Sequence, residues 1–194
     1  MTPALSIWTV GHSNHPFESF QRLLESQQIE VVVDVRSYPY SRFAPQFNRD
    51  QLAPALEATG TDYYFQGEAL GGRPNEEGHY DSEGHALYGA MAEQQAFRDA
   101  IDRLLSGAAK HRIALLCSEG RPGDCHRRLL VGRVLAERGA ELHHILPDGS
   151  IEVENEVNLS SSSDQANLFA YAAPAWRSTQ SVSHRRRRRA SSAA

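Results

Sequence analysis

Two runs in this chain, EVVVDVR (30–36) and RIALLC (112–117), are apolar at consecutive positions rather than at alternate ones. A strand with that pattern is hydrophobic on both faces, so it must be covered on both, which is the situation inside a parallel sheet flanked by helices. LSIWTV (5–10), stopped by Gly11, reads as a third buried strand, and TDYYFQ (61–66) and ELHHIL (141–146) as two more. Helical segments lie between them, over about 15–28, 49–60, 88–110 and 124–138. In the first, Phe17, Phe20, Leu23 and Leu24 share a face, Ser13 or Asn14 supplies a cap and Pro16 suits the first turn. Pro54 argues against a regular second helix, which Gly60 ends, and Asp124 is the expected N-cap of the last. Parallel strands need helix-length, right-handed crossovers. The alternation therefore predicts a three-layer α/β fold: a mostly parallel five-stranded sheet with helices on both faces, Rossmann-like in plan.

Charge divides the chain. Residues 1–157 carry 14 basic and 23 acidic side chains; residues 158–194 carry 6 arginines and one aspartate. The first part is long enough for one domain with a real core. The second is low in complexity (NLSSSSDQAN, ASSAA) and includes the run RRRRR (185–189), the composition of a disordered basic tail. Phe169, Tyr171 and Trp176 are the tail residues able to dock on the body. An acidic body is repelled by duplex phosphate, so nucleic-acid binding is expected, if anywhere, through the arginine run. The start has no signal-peptide character and no segment has the apolar length of a membrane span. With only two cysteines and no secretory context, a reducing cytoplasm is expected.

In an open α/β sheet, ligands bind outside the carboxyl ends of the strands. Each of the first four strands leads into polar residues or glycines: Gly11, His12 and Ser13 after the first; Asp34, Arg36, Arg42, Gln46 and Asn48 after the second; LGGR, with Gly71 and Gly72, after the third; and LLCSEGRPGDCHRRLL (115–130) around the end of the fourth. This last stretch holds both cysteines. Cys117 ends a strand, Gly120, Pro122 and Gly123 turn the chain, and Cys125, His126 and Arg127 fall at the expected start of a helix. Free N–H groups and a positive dipole there lower a thiol's pKa and attract anions. Arg36, Arg42, Arg121 and Arg127 would add charge-assisted bonds to such an anion.

Structural roles remain open beside these. Cys117 and Cys125 also fit as small buried hydrophobes, Asp34 as a loop brace, and the aromatics of SYPYSRFAPQFN (37–48) as packing groups. In His143-His144 the strand pattern lets one ring at most point inward. The spacing C-x7-C-H is not that of a zinc finger, and no metal or cofactor is assigned from sequence. No GxxxxGK[ST] loop or G-x-S-x-G elbow occurs.

The blocks TVGHSNHPFESFQRLL, VVVDVRSYPYSRFAPQFN, LGGRP and LLCSEGRPGDCHRRLL resemble, in order and spacing, the bacterial and archaeal family called domain of unknown function 488. The resemblance covers about residues 7–146. It points to Gly11, His12, Ser13, Asp34, Arg36, Arg42, Gln46, Phe47, Asn48, Gly71, Gly72, Cys117, Glu119, Cys125, His126 and Arg127, and implies no established activity. A looser likeness to rhodaneses lies in DVR and in Cys117-x-x-Gly120 before a helix; the phosphatase spacing C-x5-R is absent, since Gly123 stands at that position.

These residues suit three functions. The first is a cysteine-dependent transferase or hydrolase acting on a small anionic, phosphorylated or nucleotide-like ligand. Cys117 would be its nucleophile, Cys125 an alternative or resolving thiol, His12 or His126 the general base or acid, and Glu119 or Asp34 the orienting carboxylate. The second is a nucleotide or nucleic-acid binding module without turnover, in which Tyr38, Tyr40, Phe43 and Phe47 stack bases. The third is a metal- or redox-responsive protein built on Cys117 and Cys125.

Overall fold

A computed structural model describes residues 5–154 and 176–182. The elements run β1 (Leu5–Gly11), α1 (Phe17–Ser26), β2 (Val31–Asp34), α2 (Arg49–Glu57), β3 (Asp62–Phe65), α3 (Gly67–Leu70), α4 (Tyr88–Ala92), α5 (Gln95–Ala108), β4 (Ile113–Cys117), a π-helical turn (Arg127–Gly132) continuing into α6 (Arg133–Glu137), β5 (Ala140–Ile145) and β6 (Ile151–Glu154). The sheet order is β3-β2-β4-β1-β5-β6, parallel except for the antiparallel β5–β6 pair. The fold is thus α/β with a six-stranded, mostly parallel sheet.

Strand residues divide between two cores by alternation. Trp8, Val10, Val32, Ala114 and Leu116 pack against Phe20 and Leu24 of α1 and Leu52 and Leu56 of α2. Ile7, Val31, Val33, Ile113 and Leu115 pack on the other face against Phe97, Ile101 and Leu104 of α5 and Leu135 of α6. Hydrophobic burial on both faces of β2 and β4 is what the unbroken apolar runs require.

Several local expectations are corrected. The sheet has a sixth strand, at its edge, where Ile151 and Val153 are exposed and only Glu154 is buried. The expected helix over 88–110 is two, because Gln94 is extended and breaks it between α4 and α5. Pro16, not Ser13 or Asn14, occupies the α1 cap position, with no side-chain cap bond. The last helix starts at Arg127 as a wide π turn, so Asp124 does not cap it.

The arginine run 185–189, Phe169 and Tyr171 lie outside the described residues. Trp176 does dock: its indole Nε1 donates to the Leu129 carbonyl at 2.8 Å, and Arg133 covers the ring at 4.5 Å. The residues beyond it pair with the 84–89 loop through Ser178 N–H to Ala86 O and Val182 N–H to Gly84 O, each 2.9 Å. Arg177 meets Asp81 and Glu83 outside.

Candidate functional site

The carboxyl ends of β1, β2 and β4 are adjacent, because β4 lies between the other two. The chain leaves β1 at Gly11, where the loop after β4 crosses so closely that a Cβ would overlap the Glu119 carbonyl. His12 N–H then donates to Cys117 O and Ser13 N–H to Ser118 O, both at 3.0 Å, locking the two exits together.

Beneath the rim lies a buried cluster. Asp34 Oδ1 receives the Arg36 Nε–H at 2.9 Å and the Arg36 backbone N–H at 3.0 Å; Oδ2 receives NH2 and the Tyr63 hydroxyl, both at 2.6 Å. Arg36 NH2 also donates to Phe47 O at 2.9 Å and NH1 to His12 Nε2 at 3.1 Å. Since Nε2 accepts, the other nitrogen of His12, Nδ1, carries the proton and donates to Ser13 O at 2.8 Å. Burial, reinforced by the Arg36 charge and only partly offset by the Ser13 carbonyl, lowers His12 to about 4. His12 is a neutral ring stacked on Phe47 at 4.5 Å, with both nitrogens engaged. Four of the five guanidinium hydrogens of Arg36 are used, leaving one on NH1.

Above it opens a cleft of about 370 Å³. Its walls are Arg36, Ser37, Tyr38, Tyr40 and Ser41, Gly72 and Arg73, the Cys117–Glu119 corner with Asp124 and His126, Tyr88, and, from the 178–182 stretch, Ser178, Thr179, Gln180 and Val182. Cys117 Sγ lies 3.6 Å from His126 Nδ1 and 2.8 Å from Glu119 Oε2; Cys125 Sγ, behind it, is 3.2 Å from the same oxygen. His126 Nε2 donates to Val35 O at 2.8 Å, which leaves the Nδ1 lone pair of the neutral ring facing the Cys117 thiol. Gly72 makes room for that ring: a Cβ there would sit 2.5 Å from it.

Burial pushes the Cys117 thiol up, but the Cys125 thiol and the His126 ring together outweigh it and bring it down to about 6. His126 moves up: burial opposes this, and Cys117 beside it prevails. Burial, then Cys117, drives Cys125 well above the ordinary thiol range. Glu119 falls to about 2, its burial being outweighed by the hydrogen bonds it accepts, that from Cys117 foremost. Both cysteines are free thiols, and their sulfurs and His126 Nδ1 lie within 4.8 Å of one another, close enough to hold a metal ion together.

Of the arginines expected at an anion, Arg36 alone lines the cleft. Arg127 is fully buried; it donates to the carbonyls of Glu119 and Gly120 and, through Nε, to Thr9 Oγ1 at 3.2 Å, holding the 117–125 loop in shape. Arg42 stacks on Phe43 at 4.6 Å, and Arg121 is exposed; neither lines the cleft. Gln46 donates to His15 O at 2.9 Å and Asn48 accepts from Ser41 N–H at 2.6 Å, both fastening the 37–48 loop. Ser13 adopts a positive φ of 48° beside Gly120. Gly71 lies against Gly67 and Ser37 rather than in the cleft.

Sequence reasoning missed two contributions. Arg73 brings an exposed guanidinium to the cleft, and the LGGR block contained it. Residues 178–182 form a wall that no sequence motif marks. A buried relay was missed as well: Thr9 Oγ1 bonds His144 Nδ1 at 2.7 Å, His144 Nε2 bonds Glu154 Oε2 at 3.0 Å, and Arg128 pairs with Glu154. His144 is fully buried, while His143 stacks on Trp8 at 5.1 Å.

A mostly parallel α/β sheet with a cysteine–histidine cleft at the carboxyl ends of its central strands defines the class. Within it, the chain belongs to the family described as domain of unknown function DUF488, whose family model matches residues 16–134. The match takes in the cleft residues from Arg36 to His126, while the GHS block at 11–13 precedes it. No curated protein and no solved structure matches the chain. Among the described residues, no helix is long and apolar enough to cross a membrane.

Proposed function

We propose that this protein is a cysteine-dependent transferase or hydrolase of the cytoplasm acting on a nucleotide-like anion. One observation carries the reading: Cys117 Sγ stands 3.6 Å from an imidazole nitrogen whose opposite side is fixed on a backbone carbonyl, at the floor of an open cleft. That is the geometry of a nucleophile with its base. His126 Nδ1 takes the thiol proton as sulfur bonds to the electrophilic centre of the substrate. The same proton is then delivered to the leaving group as its bond breaks. Water or a second acceptor releases the group from sulfur. Glu119 favours the imidazolium form of His126. Arg73 and the remaining NH1 hydrogen of Arg36 meet the anion, and Tyr38 and Tyr40, exposed at the rim, offer ring faces to a base.

A thermal-shift screen of nucleotides and phosphorylated metabolites on the full chain tests this, since a ligand of the native state raises the melting temperature. A hit should lose its shift in Arg73→Ala and yield a covalent adduct that Cys117→Ser does not form. Hits indifferent to Arg73→Ala place the ligand elsewhere and overturn the reading. The exposed Tyr38 and Tyr40 favour a second reading, a nucleotide or nucleic-acid binding module without turnover. It expects tight hits and no adduct in the wild-type protein.

A further inference from the structure

The thiol-histidine corner has a second chemical capacity, which the proposed catalysis does not use. Cys117 Sγ, Cys125 Sγ and His126 Nδ1 lie within 4.8 Å of one another, and Glu119 Oε2 is 2.8 and 3.2 Å from the two sulfurs. We propose that the reduced protein takes up one soft divalent cation, zinc by preference, on these two sulfurs and this nitrogen, with the Glu119 carboxylate as fourth ligand.

The distances fit. Zinc–sulfur and zinc–nitrogen bonds of about 2.3 and 2.0–2.1 Å at a tetrahedral angle put sulfur and nitrogen about 3.6 Å apart. Cys117 Sγ and His126 Nδ1 are 3.6 Å apart. The corresponding sulfur–oxygen edge is about 3.5–3.7 Å, so Glu119 Oε2 must withdraw by roughly 0.7–0.9 Å from Cys117 Sγ and roughly 0.3–0.5 Å from Cys125 Sγ, which a side chain on an exposed residue at the cleft mouth can do. The surroundings fit as well. A metal-bound histidine donates its other ring N–H to a carbonyl or carboxylate, and His126 Nε2 already donates to Val35 O at 2.8 Å. The buried guanidinium of Arg127, with NH1 3.9 Å from Cys125 Sγ, offsets the anionic charge of two thiolates and a carboxylate around a dication. Thiolate ligands favour zinc over magnesium or calcium. The spacing C-x7-C-H conceals the site, because convergence comes from a strand end meeting the start of a π turn and not from a single knuckle.

Binding is ligand exchange without electron transfer. Two metal–sulfur bonds, one metal–nitrogen bond and one metal–oxygen bond to Glu119 form, the cation sheds water, and the two thiol protons leave to solvent. The inference concerns the same sulfur as the proposed nucleophile and gives it a regulation: with zinc bound, the Cys117 lone pair is committed and the thiol is silent.

The test is a cobalt(II) titration of the reduced, metal-stripped full chain. One equivalent should produce a near-ultraviolet thiolate charge-transfer band and the intense visible bands of tetrahedral cobalt. Cys125→Ser and His126→Ala, checked for native near-ultraviolet circular dichroism, should each weaken binding about tenfold or more; Glu119→Gln, at the exposed position, should keep the fold and shift the visible bands. Absence of tetrahedral bands in the wild type, or bands unchanged in Cys125→Ser or His126→Ala, overturns the proposal. A parallel arm separates it from the catalytic reading. One equivalent of zinc should slow Cys117 alkylation by iodoacetamide about tenfold or more, and a chelator should restore it. Selective alkylation that zinc leaves untouched defeats the metal site alone; tetrahedral cobalt in a protein whose stripped form shows no selective alkylation defeats the nucleophile alone.

Discussion

Two polar clusters sit side by side at the carboxyl edge of this sheet. In the one after β1 and β2, His12, Asp34, Arg36 and Tyr63 bond one another and the backbone, and a single guanidinium hydrogen is left over. In the one after β4, Cys117, Glu119 and His126 line an open cleft, and the thiol proton has two acceptors to choose between. The residue types would suit chemistry in both. The proposed nucleophile belongs to the cluster that opens on the cleft, while the groups of the closed cluster are spent on one another and on the backbone.

The largest expected effect comes from removing the clamp on the loop that carries the open cluster. Arg127→Ala leaves the Glu119 and Gly120 carbonyls without their donor and empties a fully buried site. At about 1–3 kcal/mol for each orphaned buried group, a loss of about 3–5 kcal/mol is expected in urea denaturation. A loss under about 1 kcal/mol would mean the open cluster keeps its shape unaided.

The closed cluster should also show itself in pH. His12 is held at about 4, below its ordinary 6.5. The unfolded chain therefore binds the extra proton between these values, and stability falls as pH drops from 6.5 toward 4, by about 3 kcal/mol for this group at most. Above pH 6.5 its contribution is complete. Denaturation of His12→Gln across the same range should show a correspondingly shallower slope; equal slopes would mean that His12 is not held neutral by burial.

The difference between the clusters was only half legible in the sequence. β2 and β4 announce themselves because a run such as VVV or ALL has no polar face to offer solvent, and their adjacency puts Arg36 and Cys117 at one edge. Which arginine keeps free hydrogens is not written locally. Arg127 and Arg73 look alike as letters; one is consumed by carbonyls of a loop whose path depends on Gly11, and the other is left at the cleft. β6 escaped because Ile151 and Val153 face outward, and its one buried residue is Glu154, kept for His144 and Arg128. The 178–182 wall escaped because, although Trp176 could be read as a docking residue, the polar stretch after it gives no sign of where the docked indole will lead the chain.

That wall offers a smaller perturbation. Trp176→Ala removes the indole hydrogen bond and its stacking under Arg133, about 1–2 kcal/mol of docking. Hydrogen exchange at the Ser178 and Val182 amides should accelerate roughly tenfold, while amides of β1 and β4 keep their protection. Unchanged exchange would show that the segment is held without its tryptophan. The least effect on stability, within about 0.5 kcal/mol in urea, is expected from Arg73→Ala, at an exposed side chain; a larger loss would move Arg73 into the closed set.

The most direct measurement is competitive alkylation of the two free thiols. Reduced, metal-stripped protein is treated with limiting iodoacetamide, and the peptides bearing Cys117 and Cys125 are quantified by mass spectrometry, alongside His126→Ala. Cys117 lines the cleft with a base beside it and Cys125 lies behind, so Cys117 should react at least about tenfold faster, and the preference should collapse in His126→Ala. Equal and slow modification of both cysteines, unaltered by His126→Ala, would contradict the assignment of Cys117 as the nucleophile.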